Sequence, residues 1–400
     1  MKLSSNLMTK SITSMQRAAT ISPPPTRKRR RSFTGGDATH SPALKLARNI
    51  ESKTAQSSSL RIFSWNINSI APFLQKSITS FMTPQSNASH KTASAPSLRA
   101  ILQRMQWPHI LNLQEVKINP TDEVTKRAVE KAVNQSAAHP DDGPEYTVRF
   151  CLPRDKFNAR GFGRKVYGVA TIIRRDLMMQ DVETVREVDW DLEGRVLVVE
   201  TRSKLSIWNI YAVNGTENLY KDPNTGAIVG TRHDRKLAFH NLLLRDSLRL
   251  EKDGWRVILT GDMNISCAPI DGFPSLRVNP EQHVRNRADY NKKFLAIDNP
   301  DGMRGIDTFR YLHPTTRKYT WISTSRPWLS SCDRVDHILV SRSLIDTDEH
   351  DGQEAASQAQ PSGLTIAPRA RLVEADILMT EMDRASSDHV PIYVTIRIEP

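Results

Sequence analysis

Cysteine is scarce in this chain: three residues in 400, Cys151, Cys267 and Cys332, widely spaced and odd in number. That argues against a disulfide framework and a structural zinc site, and fits a reducing compartment. Nowhere do about 18 apolar residues run together, the length a spanning helix needs, so no membrane partner is expected. Acidic residues are missing from the first 36 positions.

What is present points to one large domain. Hydrophobic residues make up 38% of the chain, enough for an ordinary buried core, and the length leaves room for appendages. The net charge of +12 is spread unevenly. Residues 1–50 carry ten Lys/Arg against one acid, Asp37, so the rest is nearly balanced. A nucleic-acid partner for the body must therefore be argued from local patches.

Residues 1–57 are rich in Ser, Thr, Pro and basic residues without hydrophobic period, and are expected to form a disordered basic tail. The run Arg27–Arg31 after Pro23–Pro25 fits a nuclear localisation signal. The acid-free start also suits a mitochondrial transit peptide, and a plain solvated tail is the third reading. Residues 58–400 read as one catalytic domain without internal repeat, with loop insertions near 82–96, 135–145 and 347–368. Its β-rich runs are 60–66, 109–115, 167–173, 195–201, 205–212, 256–262, 335–341 and 390–398. Helices are expected over 97–107, with Leu98, Ile101, Leu102 and Met105 apolar, and from a cap at Thr121-Asp122-Glu123 to about Asn134. The longest runs over about 232–251, with Leu237, Leu244 and Leu248 among its apolar positions.

Several apolar runs end in a carboxylate, amide or imidazole, the place where a sheet fixes a group while the loop side stays open. After Ile110–Gln114, period-2 alternation puts Glu115 on the side of Leu111 and Leu113. A charge there needs a partner, such as a divalent cation, or else turns out to solvent. In Gly261-Asp262-Met263-Asn264, Asp262 and Asn264 share a face and Gly261 permits close approach. An Asp that takes a proton from water beside an Asn that holds a phosphate oxygen suits phosphodiester hydrolysis; a plain turn after a strand is the alternative. His389, in Ser387-Asp388-His389, needs a carboxylate to fix its tautomer, and Asp336 is the candidate. Ser64–Asn68 closes the first strand with Asn66 and Asn68, and Asn209–Gly215 ends another with Tyr211 and Asn214.

Singly these segments are unspecific; in this order they resemble the exonuclease III/AP endonuclease family of the DNase I-like endonuclease/exonuclease/phosphatase superfamily. The resemblance runs from about Arg61 to Ile396. It includes Leu113–Lys117, Gly168-Val169-Ala170, Asn209-Ile210-Tyr211, Gly261–Asn264, Asp307–Arg310 with His313-Pro314, Tyr319-Thr320-Trp321 and Ser387–His389. It implies a four-layer α/β/β/α sandwich of two mixed sheets and a DNA-cleaving hydrolase of base-excision repair using Mg2+, with Mn2+ as a substitute. Glu115 would bind the metal, with Asn66, Asn68 and Asp388 near it. Asp262 would ready the attacking water, Asn264 hold a phosphate oxygen, and His389, oriented by Asp336, contact the phosphate. Tyr211 and Asn214 would touch the phosphate or leaving group, and Trp321 wall a sugar pocket. Two departures stand out. The Tyr211–Asn214 segment lacks a proline the family often has, and Asp333 stands where an aromatic residue can precede Arg334. Cys332-Asp333-Arg334 is also similar to a segment of inositol polyphosphate phosphatases, but Tyr-Arg does not follow Asn264 as it does there.

Two basic segments are candidates for gripping DNA: Arg154, Lys156, Arg160, Arg164 and Lys165 with Phe157 and Phe162, and Arg277, Arg285, Arg287, Lys292 and Lys293 with Tyr290. Arg164, Arg285 and Arg287 are taken as substrate contacts; ordinary solvated surface is the bland reading. The expected partner is double-stranded DNA with an abasic site, nick or 3′ end, bound by a monomer. The rivals are a phosphatase for a small substrate and a catalytically silent DNA-binding module.

Overall fold

The computed structural model of the chain describes residues 58–74, 97–135, 143–161, 165–345 and 370–398. The tail, the insertions near 82–96 and 347–368, most of that near 135–145, Phe162 and Arg164 lie outside them.

Each of the eight apolar runs is a strand. In chain order the strands are β1 (Ser58–Asn66), β2 (Ile110–Gln114), β3 (Tyr146–Cys151), β4 (Val169–Arg174), β5 (Val182–Glu187), β6 (Val196–Thr201), β7 (Leu205–Tyr211), β8 (Leu219–Lys221) and β9 (Ile228–Thr231). There follow β10 (Arg256–Asp262), β11 (Gly272–Phe273), β12 (Ile306–Asp307), β13 (Trp321–Ile322), β14 (Cys332–Asp333), β15 (Asp336–Val340), β16 (Ala370–Ile377) and β17 (Ile392–Ile398). One mixed sheet has the order β16-β17-β1-β2-β4-β3 and the other β12-β15-β10-β7-β6-β5. The longer strands that the sequence reading passed over, β3, β5 and β16, are all sheet edges. An edge strand meets water along one side, so it does not need the dense apolar pattern of a central one. In β16 a register shift between Leu372 and Glu374 further interrupts the alternation.

Helices cover both outer faces. α1 (Leu98–Arg104) is capped by Ser97 and α2 (Glu123–Asn134) by Asp122, whose side chains accept from Ala100 and Thr125 N–H. Leu98, Ile101, Leu102 and Met105, with Val129 and Val133, pack on Phe63, Trp65, Leu111 and Leu113 of the first sheet. α3 (Arg175–Gln180) is short. On the second sheet, α4 (Arg232–Lys252) buries Phe239, Leu243 and Leu250 against Trp208, Ile210, Val257 and Leu259. Leu237, Leu244 and Leu248, among its apolar positions, are only half-buried. Polar residues share the buried face, Lys236, His240, Asp246 and Ser247 among them, which hid its true direction. The segment read as a second basic loop contains α5 (Gln282–Tyr290), continuing to Leu295.

The sheets face each other across Leu60, Ile62, Ile110, Ile207, Ile258, Ile338, Val340, Val394 and Ile396. Further along the same strands this layer becomes polar. Asn112 Nδ2 donates to Thr260 Oγ1 at 2.7 Å, and its Oδ1 accepts from Thr171. Gln114 Nε2 donates to Asn209 Oδ1 at 2.8 Å and to Ser64, and Asn209 Nδ2 donates to Thr171. This belt of buried hydrogen bonds joins the two sheets and gives the side-chain nitrogens of Asn112, Gln114 and Asn209 their acceptors.

Candidate active site

Beyond the belt the inward rows end in charge. Registration across the second sheet sets Tyr211 and Asp336 on either side of Asp262, in one row. That closeness depends on Gly261, which has φ +135° and where a Cβ would lie 1.9 Å from the Ile210 carbonyl oxygen. Only glycine fits.

His389 arrives from the first sheet, just before β17. Its N–H donates to Ser387 Oγ, which donates to the Asn66 carbonyl, and its own carbonyl accepts from Trp65 Nε1. The ring's Nδ1 is 2.8 Å from Asp336 Oδ2, while Nε2 lies 3.9 Å from Asp262 Oδ2. Asp336 thus holds the imidazole as the sequence suggested. Burial alone would lower the His389 pKa, but the charge and hydrogen bond of Asp336, then Asp262 and Asp388, raise it to about 10. The Asp262 carboxyl is pushed up to about 7 by burial and by Asp336, against the pull of His389. The middle of the site is therefore an imidazolium between two carboxyl groups.

Glu115 does not follow its expected parity. Leu111 and Leu113 face the helices, and alternation would send Glu115 there too. Instead its backbone is left-handed, φ +52°, which turns the carboxylate into the site. Tyr211 donates its hydroxyl to Glu115 Oε1 at 2.5 Å, and Asn66 Nδ2 bridges Glu115 Oε1 (3.2 Å) and Asp262 Oδ2 (3.0 Å). Burial would raise the Glu115 pKa, yet the charge and hydrogen bond of Lys117, with donors Tyr211 and Asn66, lower it. Burial and the Glu115 charge push the Tyr211 hydroxyl well above its usual range. Asn68, Lys117 and Asn264 are also left-handed, so non-glycine strain gathers at this rim, a pattern typical of functional sites.

The residues expected to surround a cation can be tested on what they hold now. Lys117 Nζ lies 2.7 Å from Glu115 Oε2 and donates to Asn68 Oδ1. These two oxygens already enclose a positive charge, and with Asp388 nearby in the same cavity they form a hard-oxygen set suited to a divalent cation. Asn66 departs from that expectation. Its oxygen accepts from Asn68 N–H and its amide nitrogen faces the carboxylates, so it orients Glu115 and Asp262 instead of offering a ligand. Asp262, Asp336 and His389 form a second group with ligand atoms within 4.8 Å of one another, but the His389–Asp336 hydrogen bond already occupies it.

The open cavity, about 560 Å³, is lined by Glu115, Tyr211, Asn214, Asp262, Asn264 and His389, among others. Asn264 donates its side chain to the Ala212 carbonyl, and its N–H to Asp262 Oδ1 at 2.8 Å. Asp388 and Trp321 are linked by an indole N–H bond of 3.1 Å. Arg277, His283 and Arg287 line the same cavity. Arg287 donates to the Ser266 and Arg277 carbonyls. Arg285 is not in the cavity: it is exposed and paired with Glu281, because the helix that aims Arg287 inward aims Arg285 out.

Several supporting groups escaped the sequence reading. Buried Arg195 donates to the Tyr211 carbonyl and lies 4.8 Å from its ring, and Glu193 ties it to Arg232. Buried Lys236 donates to the Asn264 carbonyl at 2.7 Å, its pKa lowered to about 7 by burial. Arg334 is held between Asp271 and Asp307, and Arg310 also reaches Asp271. Asp307 and Arg310 therefore brace the strand that carries Asp336. Charged residues on an apolar helix face were the available signal for Arg232 and Lys236.

The endonuclease/exonuclease/phosphatase family matches residues 63–389. Mouse (Mus musculus) DNA-(apurinic or apyrimidinic site) endonuclease 2 is 27% identical over 310 residues, covering 72% of this chain and 55% of that protein. The Xenopus laevis protein of the same name is 23% identical over 234 residues, 52% of this chain and 38% of its own. The chain thus spans about half, or less, of the curated relatives it matches. The crystal structure of the Xenopus laevis APE2 catalytic domain aligns with TM-score 0.54 and 20% identity over 85% of this chain and 93% of that one. An AP endonuclease from Leishmania major aligns with TM-score 0.53 and 17% identity, over 86% and 88%. These structures share the four-layer fold.

Proposed function

The chain belongs to the endonuclease/exonuclease/phosphatase family, and from that premise we propose that it hydrolyses phosphodiester bonds of damaged duplex DNA, incising at abasic sites or trimming 3′ ends. The observation that carries this reading is a single cavity that holds acids and an imidazolium together with Arg277 and Arg287. A phosphodiester needs both. Its scissile phosphate needs charge neutralisation at the centre, and its flanking phosphates need cations beside it.

In this scheme Asp262, as carboxylate, takes the proton of the attacking water, and Asn66 keeps its oxygen aimed. His389, protonated and held by Asp336, donates to a phosphate oxygen as charge builds on phosphorus. Asn214 offers amide hydrogens to the same group, Asn264 joins it by giving up its 3.3 Å bond to Asp262 Oδ2, and Arg195 and Glu115 hold Tyr211 at its edge. Glu115, Asn68 and Asp388 would hold Mg2+, or Mn2+ in its place, which would supply Lewis-acid stabilisation of the charge developing on the phosphate. The relatives named as AP endonucleases support DNA as substrate. A nuclear site of action rests on the Arg27–Arg31 run.

The test uses three labelled duplexes (abasic, nicked with a 3′-phosphate, and with an intact recessed 3′ end), each with Mg2+ or chelator, beside Asp262→Ala. Magnesium-dependent cleavage lost in the variant is the expected result, and the preferred duplex names the role. No cleavage of any duplex by folded wild-type protein refutes the reading.

A further inference from the structure

The three-stranded sheet β11-β14-β13 forms the cavity wall next to His389, and its register sets Trp321, Asp333 and Gly272 side by side. Cross-strand neighbours on one face lie about 5 Å apart, so the Asp333 carboxyl stands beside the Trp321 indole, with both lining the cavity. Gly272 makes the space for it: a Cβ there would press on Asp333 Oδ1 at 3.1 Å. Ser266 Oγ donates to that same oxygen at 3.1 Å. Among the described residues Oδ2 has no partner. A half-buried carboxyl with one oxygen anchored and the other open is a hydrogen-bond acceptor awaiting a donor.

The position of the wall says which donor. Trp321 touches Asp388, the neighbour of His389, so the wall runs outward from the place assigned to the scissile phosphate. The next group along a nucleic-acid strand is the sugar. An indole covering the apolar face of a sugar ring and a carboxylate at its edge is a combination that reads hydroxyl groups. A base-free deoxyribose carries one hydroxyl that no intact nucleotide has, at C1′, formed when the ring closes as a hemiacetal.

We propose that Asp333 is a specificity-determining residue that accepts a hydrogen bond from the C1′ hydroxyl of the abasic sugar, with Trp321 against the ring. The inference rests on the nuclease reading above. A site built to bind a hydroxyl discriminates against the analogue that lacks it, because its own acceptor is then desolvated and unpaired.

The experiment compares kcat/KM on two duplexes that differ only at C1′: the natural abasic site, freshly generated, and its tetrahydrofuran analogue, which has hydrogen there. Wild-type protein is expected to favour the natural site by about tenfold or more, the loss expected for a hydrogen bond to a charged acceptor. Asp333→Leu brings the ratio near one, and Asp333→Asn, a weaker acceptor of the same shape, lowers it severalfold. Equal rates on the two duplexes with wild-type protein overturn the proposal. So does an unchanged ratio in Asp333→Asn, which decides the matter should the leucine variant not fold. If Asp333 only anchors Ser266, substitution slows both duplexes alike and leaves the ratio unmoved, also refuting it. Cleavage of neither duplex by wild-type protein is a different failure, that of the nuclease reading itself.

Discussion

The layer between the two sheets has two ends built by the same strands under opposite demands. Along β1 the inward positions are Leu60, Ile62, Ser64 and Asn66, and along β7 they are Leu205, Ile207, Asn209 and Tyr211. Along β10 they are Ile258, Thr260 and Asp262. Both ends are buried, Ile258 at 0% and Asp262 at 1% exposure, so burial alone cannot tell them apart. The apolar end is stable because nothing there wants water. The charged end keeps a carboxyl, Asp262, well above its ordinary pKa, a condition that opposes folding at neutral pH and that the proposed chemistry would use. The difference teaches that this molecule spends stability at one end of a layer and recovers it at the other, with hydrogen-bonded amides between.

The sharpest way to break the comparison is Asp262→Asn. We expect kcat on the abasic duplex to fall by about 10²–10⁴-fold, the range for losing a general base, with an unchanged or higher thermal midpoint at pH 7. A midpoint several degrees lower, by calorimetry, would mean that the charged end supports the fold like the apolar one. The converse is Ile258→Ala, expected to cost about 2–5 kcal/mol in denaturant unfolding while kcat per folded molecule holds. Between them, Thr260→Val keeps the shape but leaves the Asn112 amide without its acceptor. It should cost about 1–3 kcal/mol and lower kcat as well, since the belt holds both sheets.

The smallest effect is that of pH. The proposed scheme uses Asp262 ionised and His389 protonated, so kcat/KM should rise with pH through about 7 and fall above about 10. Each limb changes about tenfold per unit, and Asp262→Asn should lack the acid limb. Both groups have raised pKa values in the fold. Linkage therefore gives the Asp262 contribution to stability fully below 3.8, lost as pH rises through about 7, and that of His389 below 6.5, lost through about 10. Stability should fall across the range in which activity appears.

Much of this was legible in the sequence, for physical reasons that can be named. Central strands announce themselves because both faces are buried, and the polar residues at their ends mark the rim. The edges β3, β5 and β16 carry no such signal because solvent relaxes their pattern. Alternation gives the wrong side for Glu115 because it holds only while the backbone stays extended, and its φ of +52° ends that. Arg285 and Arg287 look equivalent as neighbours in a basic segment. Only the helix beneath them separates one that lines the cavity from one that faces water. The Asp336–His389 pairing was inferable because an imidazole beside a strand needs a carboxylate. The Arg195 and Lys236 contacts were not, since they join residues that no spacing connects.

The amide belt has a consequence of a mechanical kind. Glu115 and His389 ride on one sheet, Tyr211, Asp262 and Asp336 on the other, so the working parts sit on two separate plates. Greasy surfaces alone can slide, because dispersion contacts are nearly indifferent to a shift of a few tenths of an ångström. Hydrogen bonds are directional, and those from Asn112 to Thr260 and from Gln114 to Asn209 act as dowels between the plates. They set the tolerance to which the two halves meet, one turn of side chains away from where that tolerance matters.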